Sequence, residues 1–133
     1  MRYRKLGRTG LAVSEICLGT MTFGGDGFWK VVGALEQEMV TTLVKGAFDK
    51  GVTFLDTANV YSNGLSEQVT GQAIKDLPRD ELVIATKLFG RMGAYGGAQT
   101  PEAQRRYNNT NLWGLSRKHV FDAIDASLAR LRS

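Results

Sequence analysis

Three side chains in this sequence could together move a proton: Asp56, Tyr61 and Lys87. Asp56 closes the apolar run Phe54-Leu55, Tyr61 follows in the adjoining loop, and Lys87 ends the run Leu82-Val83-Ile84-Ala85-Thr86. A tyrosine hydroxyl has a reference pKa of about 10 and is a poor acid at neutral pH. A lysine cation beside it stabilises the phenolate and makes the proton easier to give. A carboxylate paired with that lysine fixes its position and charge. Each residue also has a plainer reading. Asp56 could be a strand-end or capping residue and Tyr61 a half-buried loop aromatic. Lys87 could pack its stem and hold its head in water. On residue types alone the trio is a weak signal, and its meaning depends on the elements that carry it.

Those elements follow from periodicity and turn chemistry. Tyr3 to Leu6 and Leu11 to Ser14 flank Gly7-Arg8-Thr9-Gly10, which reads as a β-hairpin. Ile16-Cys17-Leu18-Gly19 is a short apolar run, followed by a loop holding Gly24, Gly25 and Gly27. Met39, Val40, Leu43, Val44, Ala47 and Phe48 form one apolar stripe of a helix. Glu36 and Glu38 stand at its start and Gly51 at its end. Val52 to Thr57 reads as a second buried strand. A second helix opens at Ser66-Glu67 and runs to about Lys75, with Val69, Ala73 and Ile74 inward. Pro78 breaks the chain before a third strand at 82–87. Residues 88–115 read as a long irregular loop with Gly90, Gly93, Gly96, Gly97 and Gly114, expected to be the least regular or most mobile part. Ser116 caps a third helix whose inward side is expected to be Val120, Phe121, Ile124, Leu128 and Leu131.

Apolar strands alternating with amphipathic helices predict a parallel sheet covered by helices, in a doubly wound sheet or part of a (β/α)8 barrel. In a barrel, Asp56, Tyr61 and Lys87 all fall at the C-terminal rim, where barrel active sites lie. A doubly wound nucleotide binder would carry G-x-G-x-x-G after its first strand. Here Gly25-Asp26-Gly27 has Lys30 in place of the third glycine. No P-loop and no G-x-S-x-G elbow occurs. One His and one Cys, far apart, give no metal set.

The 133 residues suffice for one domain with a sizeable core. Hydrophobic residues at 43% and charged residues at 23% are ordinary for a globular protein. The charged opening Met1-Arg2-Tyr3-Arg4-Lys5 has no apolar core after it, so it does not read as a signal peptide. No apolar run reaches the ~20 residues of a membrane span. The single Cys17 makes no internal disulfide, which points to a cytoplasmic location. The net charge of +4 is scattered, without the basic stripe and stacking aromatics of a nucleic-acid binder.

Four stretches carry a family resemblance. They are Tyr3 to Ile16 running into Leu18-Gly19-Thr20-Met21-Thr22-Phe23-Gly24, then Gly51 to Ala58 with Tyr61, Gly64, Ser66-Glu67 and Gly71, then Val83 to Lys87, then Ser116 to Leu131. In this order the chain resembles the N-terminal part of the aldo-keto reductases, in the branch of bacterial and plant reductases related to potassium-channel β subunits. The second stretch is the most specific.

The resemblance implies an N-terminal β-hairpin plus three βα units of a (β/α)8 TIM barrel, incomplete over these residues. Residues 1–133 would then be the N-terminal portion of a single barrel domain. It implies an NADPH-dependent enzyme that reduces aldehydes or ketones. Asp56, Tyr61 and Lys87 match three members of the family's catalytic tetrad, with Tyr61 the proton donor. Gly19, Thr20 and Met21, together with Asp56, match positions beside the nicotinamide. The fourth tetrad member is a His ending the fourth strand, beyond these residues. His119 lies on the third helix, as a surface or capping residue. Phe23, Trp29, Tyr95 and Trp113 could line an apolar substrate pocket or pack the loops against the barrel top, with packing favoured for Tyr95 and Phe23 and Trp29 kept as the pocket candidates. The alternatives are a cofactor-binding regulatory subunit without catalysis and an inactive fragment. By themselves, residues 1–133 are expected to be inactive, with the edge strands near Ile16 and Ile84 left unpaired.

Overall fold

The hairpin forms as its turn chemistry requires. β1 (Tyr3–Lys5) pairs antiparallel with β2 (Ala12–Ser14), with Arg4 opposite Val13. The computed structural model describes residues 1–25, 27–93 and 100–133. β3 (Cys17–Gly19), β4 (Phe54–Asp56) and β5 (Val83–Ala85) form a second, wholly parallel sheet in the order β3-β4-β5. Each strand lies within the stretch expected of it and is shorter at its ends.

The register decides what each face of the parallel sheet holds. Leu18, Leu55 and Ile84 stand opposite one another, and so do Gly19, Asp56 and Ala85. Residues directly opposite share a face, and neighbours along a strand alternate. The Leu18-Leu55-Ile84 row therefore faces the helices. Leu55 is buried in a core with Phe23, Val40, Val44, Val69, Ala73, Ile74 and Leu82, against which Leu18 and Ile84 pack. The Gly19-Asp56-Ala85 row faces the other way.

Three long helices cover the first face. α1 (Gln37–Asp49) buries Val40 and Val44, one edge of the expected stripe. Met39 and Leu43, its other edge, remain 60% and 44% exposed. The stripe is wider than the sheet and its neighbouring helix cover, so only half of it is inside. Gly51 ends the helix with φ +87°, a left-handed conformation that glycine adopts without strain. α2 (Leu65–Ile74) packs between α1 and the last helix, α4 (Arg117–Leu131). A β-carbon on Gly71 would come within 2.6 Å of the Arg130 carbonyl oxygen, so only glycine lets α2 and α4 approach this closely. Ser116 caps α4 as expected, its hydroxyl accepting the His119 backbone N–H at 3.2 Å.

Two expectations for the second half of the chain are corrected. The buried side of α4 is His119, Ala123, Ser127 and Leu131. Phe121 and Leu128 are 52% and 39% exposed. Small residues fill this interface because α2 lies so close, which leaves the bulky ones outside. Nor is 88–115 irregular throughout. α3 (Pro101–Asn108) lies within it, with Pro101 in its first turn and the Thr100 hydroxyl accepting from the Ala103 N–H at 3.1 Å. A 3-10 turn follows at Thr110–Leu112. Thr-Pro is a helix-start signal that composition alone obscured. Tyr95, Gly96 and Gly97 lie outside the described residues. Among the described residues no helix is long and apolar enough to cross a membrane.

Candidate active site

Asp56, the last residue of β4, shares its sheet face with Gly19 and Ala85. Pairing continues past the strand ends and fixes the backbone around it. The Thr20 N–H donates to the Asp56 carbonyl (2.9 Å) and the Asn59 N–H to the Lys87 carbonyl (3.0 Å). Lys87 lies two residues past Ala85, and its ammonium reaches Asp56. Nζ donates to Oδ1 at 2.8 Å, to Oδ2 at 2.7 Å and to the Thr57 carbonyl at 2.9 Å. It also stands 5.2 Å from the centroid of the Tyr61 ring. The structure thus brings Asp56, Tyr61 and Lys87 to one place at the C-terminal ends of the strands.

Burial acts to lower the Lys87 pKa. The hydrogen bond to Asp56 and the proximity of Tyr61 and Asp56 outweigh it, so the value lies above that of an ordinary lysine. Lys87 is therefore a fixed cation at neutral pH. Cys17, on the same face, is pushed the other way in charge terms. Burial and the Asp56 carboxylate raise its thiol pKa against the opposing Lys87, so it stays protonated.

Tyr61 sits in a turn of unusual backbone. Ser62 and Asn63 have φ of 48° and 54°, left-handed values that side chains other than glycine rarely adopt. Neighbouring loops hold them there. The Ser62 hydroxyl accepts from the Gly25 N–H at 3.0 Å, and Asn63 Oδ1 accepts from the Gly93 N–H at 3.0 Å. Trp29 braces the ring from the side, edge-on at 5.8 Å. Strain held by several partners at a reactive side chain fixes its direction.

Behind this group lies an ion pair that sequence reasoning missed. Glu67 is fully buried; its carboxylate accepts from Arg130 Nε at 2.7 Å and from the Thr86 hydroxyl at 2.7 Å. Because Thr86 precedes Lys87, the pair anchors the strand end that carries the ammonium. Its partners are 63 residues apart, so no local pattern betrays them. Phe89, two residues past Lys87, is 59% exposed.

The remaining expected site residues divide. Gly19 faces the open side, and a β-carbon there would meet nothing within 4 Å. Met21 is 42% exposed. Thr20 is fully buried, with its hydroxyl beside that of Ser66 at 3.1 Å and its backbone N–H on the Asp56 carbonyl, so it offers the site no exposed group. Phe23 is 1% exposed within the core and offers no wall to a substrate. Trp29 is 5% exposed and acts as the brace for Tyr61. Trp113 packs edge-on against Phe89 at 6.2 Å. His119 is not a surface residue. It is 6% exposed, with Nε2 at 2.9 Å from the Leu88 carbonyl oxygen.

The family model described as the aldo/keto reductase family matches residues 15–133. This chain belongs to that family. It is 38% identical over 136 residues to versiconal hemiacetal acetate reductase of Aspergillus parasiticus, covering 98% of this chain and 39% of the relative. A Schizosaccharomyces pombe protein provisionally named a voltage-gated potassium channel β subunit is 42% identical over 132 residues, 97% of this chain and 33% of the relative. Among solved structures, the holo form of an aldo-keto reductase from Bacillus halodurans superposes with a TM-score of 0.74 at 29% identity, covering 100% of this chain and 37% of that one. The aldo-keto reductase family member thus spans about two-fifths or less of the relatives it matches. Its sequential parallel strands under one helix layer are the incomplete barrel expected, not a doubly wound sheet.

Proposed function

We propose that the complete protein reduces aldehydes or ketones to alcohols with NADPH, and that Tyr61 gives the proton. The observation that carries this reading is the Lys87 ammonium, held on Asp56 and set against the Tyr61 ring. The open face beside it fits the nicotinamide end of the cofactor. Gly19 leaves room for a flat ring, and Met21 with the half-exposed Asp56 would flank it. When bound, a reduced nicotinamide supplies hydride to the carbonyl carbon.

This chain's own residues do the rest. Asp56 holds the Lys87 ammonium in place and charged. Lys87 stabilises negative charge on the Tyr61 oxygen as the phenolic proton passes to the carbonyl oxygen. The Ser62-Asn63 turn and Trp29 keep the hydroxyl aimed at that point. Phe89 offers an apolar surface at the rim for the substrate's body. The substrate is a small carbonyl compound, with neither nucleic acid nor membrane as a partner, and the setting is cytoplasmic.

The relationship to a channel β subunit supports a second reading, a cofactor-binding regulatory subunit. Turnover separates the two. The complete protein is expected to oxidise NADPH in the presence of a reactive aldehyde. NADPH binding without any aldehyde-dependent oxidation would refute catalysis and favour the regulatory role.

A further inference from the structure

A cavity of about 490 Å³ lies between α4 and the segment that carries α3. Its walls include Asn59, Arg91, Arg106, Tyr107, Trp113 and His119, and none of Asp56, Tyr61 and Lys87.

Arg91 is preset for an anion. Its guanidinium carbon stands 4.2 Å from the Trp113 ring centroid and 5.1 Å from that of Tyr107. Aromatic rings engage the faces of a guanidinium and leave its in-plane N–H donors for a carboxylate or phosphate. Among the described residues no carboxylate pairs with Arg91 or Arg106. The other charges of the wall are already matched: Arg130 by Glu67, and Asp122 by Lys118.

Two buried polar atoms of wall residues also have no hydrogen-bond partner among the described residues. These are Trp113 Nε1 and Asn59 Oδ1, and Asn59 is only 2% exposed. Native structures leave few such atoms unsatisfied. The indole N–H can donate only to an acceptor. The asparagine amide, turned about its last bond, can donate as well. Arg91 and Arg106 thus line the cavity without a carboxylate partner, and Trp113 and Asn59 belong to the same wall. Met92, Ala103, Leu112, Ala123 and Ala126 give the wall an apolar part.

We propose that this cavity binds a small organic carboxylate with an apolar body. Its carboxylate is held in the plane of the Arg91 guanidinium, with Arg106 beside it. An inorganic anion has no body to fill the apolar part. The occupant touches the back of the catalytic region, because the Asn59 N–H holds the Lys87 carbonyl and His119 lies on that of Leu88.

The test is titration of the complete protein with benzoate, read by calorimetry. Saturable binding is expected. Benzamide, the uncharged counterpart, is expected to bind at least about tenfold more weakly, as is inorganic phosphate. Arg91→Met is expected to raise the benzoate Kd at least about tenfold, and Lys87→Met to leave it within about twofold. Should Arg91→Met not fold, Arg91→Lys keeps the charge, loses the planar stack and is expected to bind several-fold more weakly. Absence of saturable benzoate binding overturns the proposal. So does a Kd unchanged by the Arg91 substitutions, or binding lost in Lys87→Met, which would put the carboxylate at the catalytic lysine.

Discussion

The two faces of the parallel sheet are one residue apart along each strand and have opposite uses. On one, Leu18, Leu55 and Ile84 meet the helices, and Leu55 is 2% exposed. On the other, Gly19, Asp56 and Ala85 leave space into which Lys87 reaches from the strand end. The packed face contributes stability through apolar burial and asks little of residue identity beyond size. The open face contributes almost no packing and depends on the placement of individual polar atoms. A period of two lets one short strand supply both, so damage to one face need not damage the other.

The sharpest way to break this division is a pair of substitutions. In the complete protein, the proposed reduction predicts that Tyr61→Phe lowers kcat by about 10²–10⁴-fold with little change in Tm or NADPH affinity. Leu55→Ala is expected to cost about 2–5 kcal/mol of stability, read from denaturant melts. A Tyr61→Phe enzyme with undiminished kcat would remove the phenol from its role. A Leu55→Ala protein as stable as its parent would show that the packed face carries less than its burial suggests.

The Glu67–Arg130 pair tests where the two faces join. It lies among the helices yet holds Thr86, next to Lys87. Arg130→Met leaves a buried carboxylate uncompensated and is expected to cost about 3–5 kcal/mol. Combining it with Glu67→Gln is expected to restore part of that loss. Equal melting curves for single and double variants would show that the two residues are not coupled.

The smallest effect concerns pH. The Lys87 pKa is raised in the folded protein, with Asp56 as partner. Stability from this pair is therefore full below the ordinary lysine value of about 10.4 and lost as pH rises through the raised value. Both side chains are about half exposed, so solvent screening keeps the contribution small. Melting curves of the parent and Lys87→Met are expected to differ slightly at neutral pH and to converge above that range. A difference that grows with alkalinity would contradict the sign.

Much of this was legible in the sequence because it is local. The strand cores, the α1 and α2 helices and the Ser116 cap depend on period and on end signals within a few residues. The site trio was legible only in part. Asp56 and Lys87 announce themselves as charges ending apolar runs, whereas residue types alone left Tyr61 an ordinary loop aromatic. The burial of Phe23 was not legible because an aromatic in a glycine-rich loop looks alike whether it lines a mouth or fills a core. The α4 interface was misread because its large apolar residues looked inward. Gly71 brings α2 so close that only Ala123, Ser127 and similar side chains fit between them.

What the sequence determined by itself is the succession of elements and the apolar side of most of them. These follow from backbone hydrogen bonding and side-chain period, which act between near neighbours. What only the tertiary structure decided are the contacts between distant parts. Such are the Lys87 ammonium on Asp56 across 31 residues, the Arg130–Glu67 pair across 63, and the Arg91 guanidinium against Trp113 and Tyr107. Electrostatic and stacking partners are chosen by distance in space, and distance in space is set only when the sheet and its helices have closed around them.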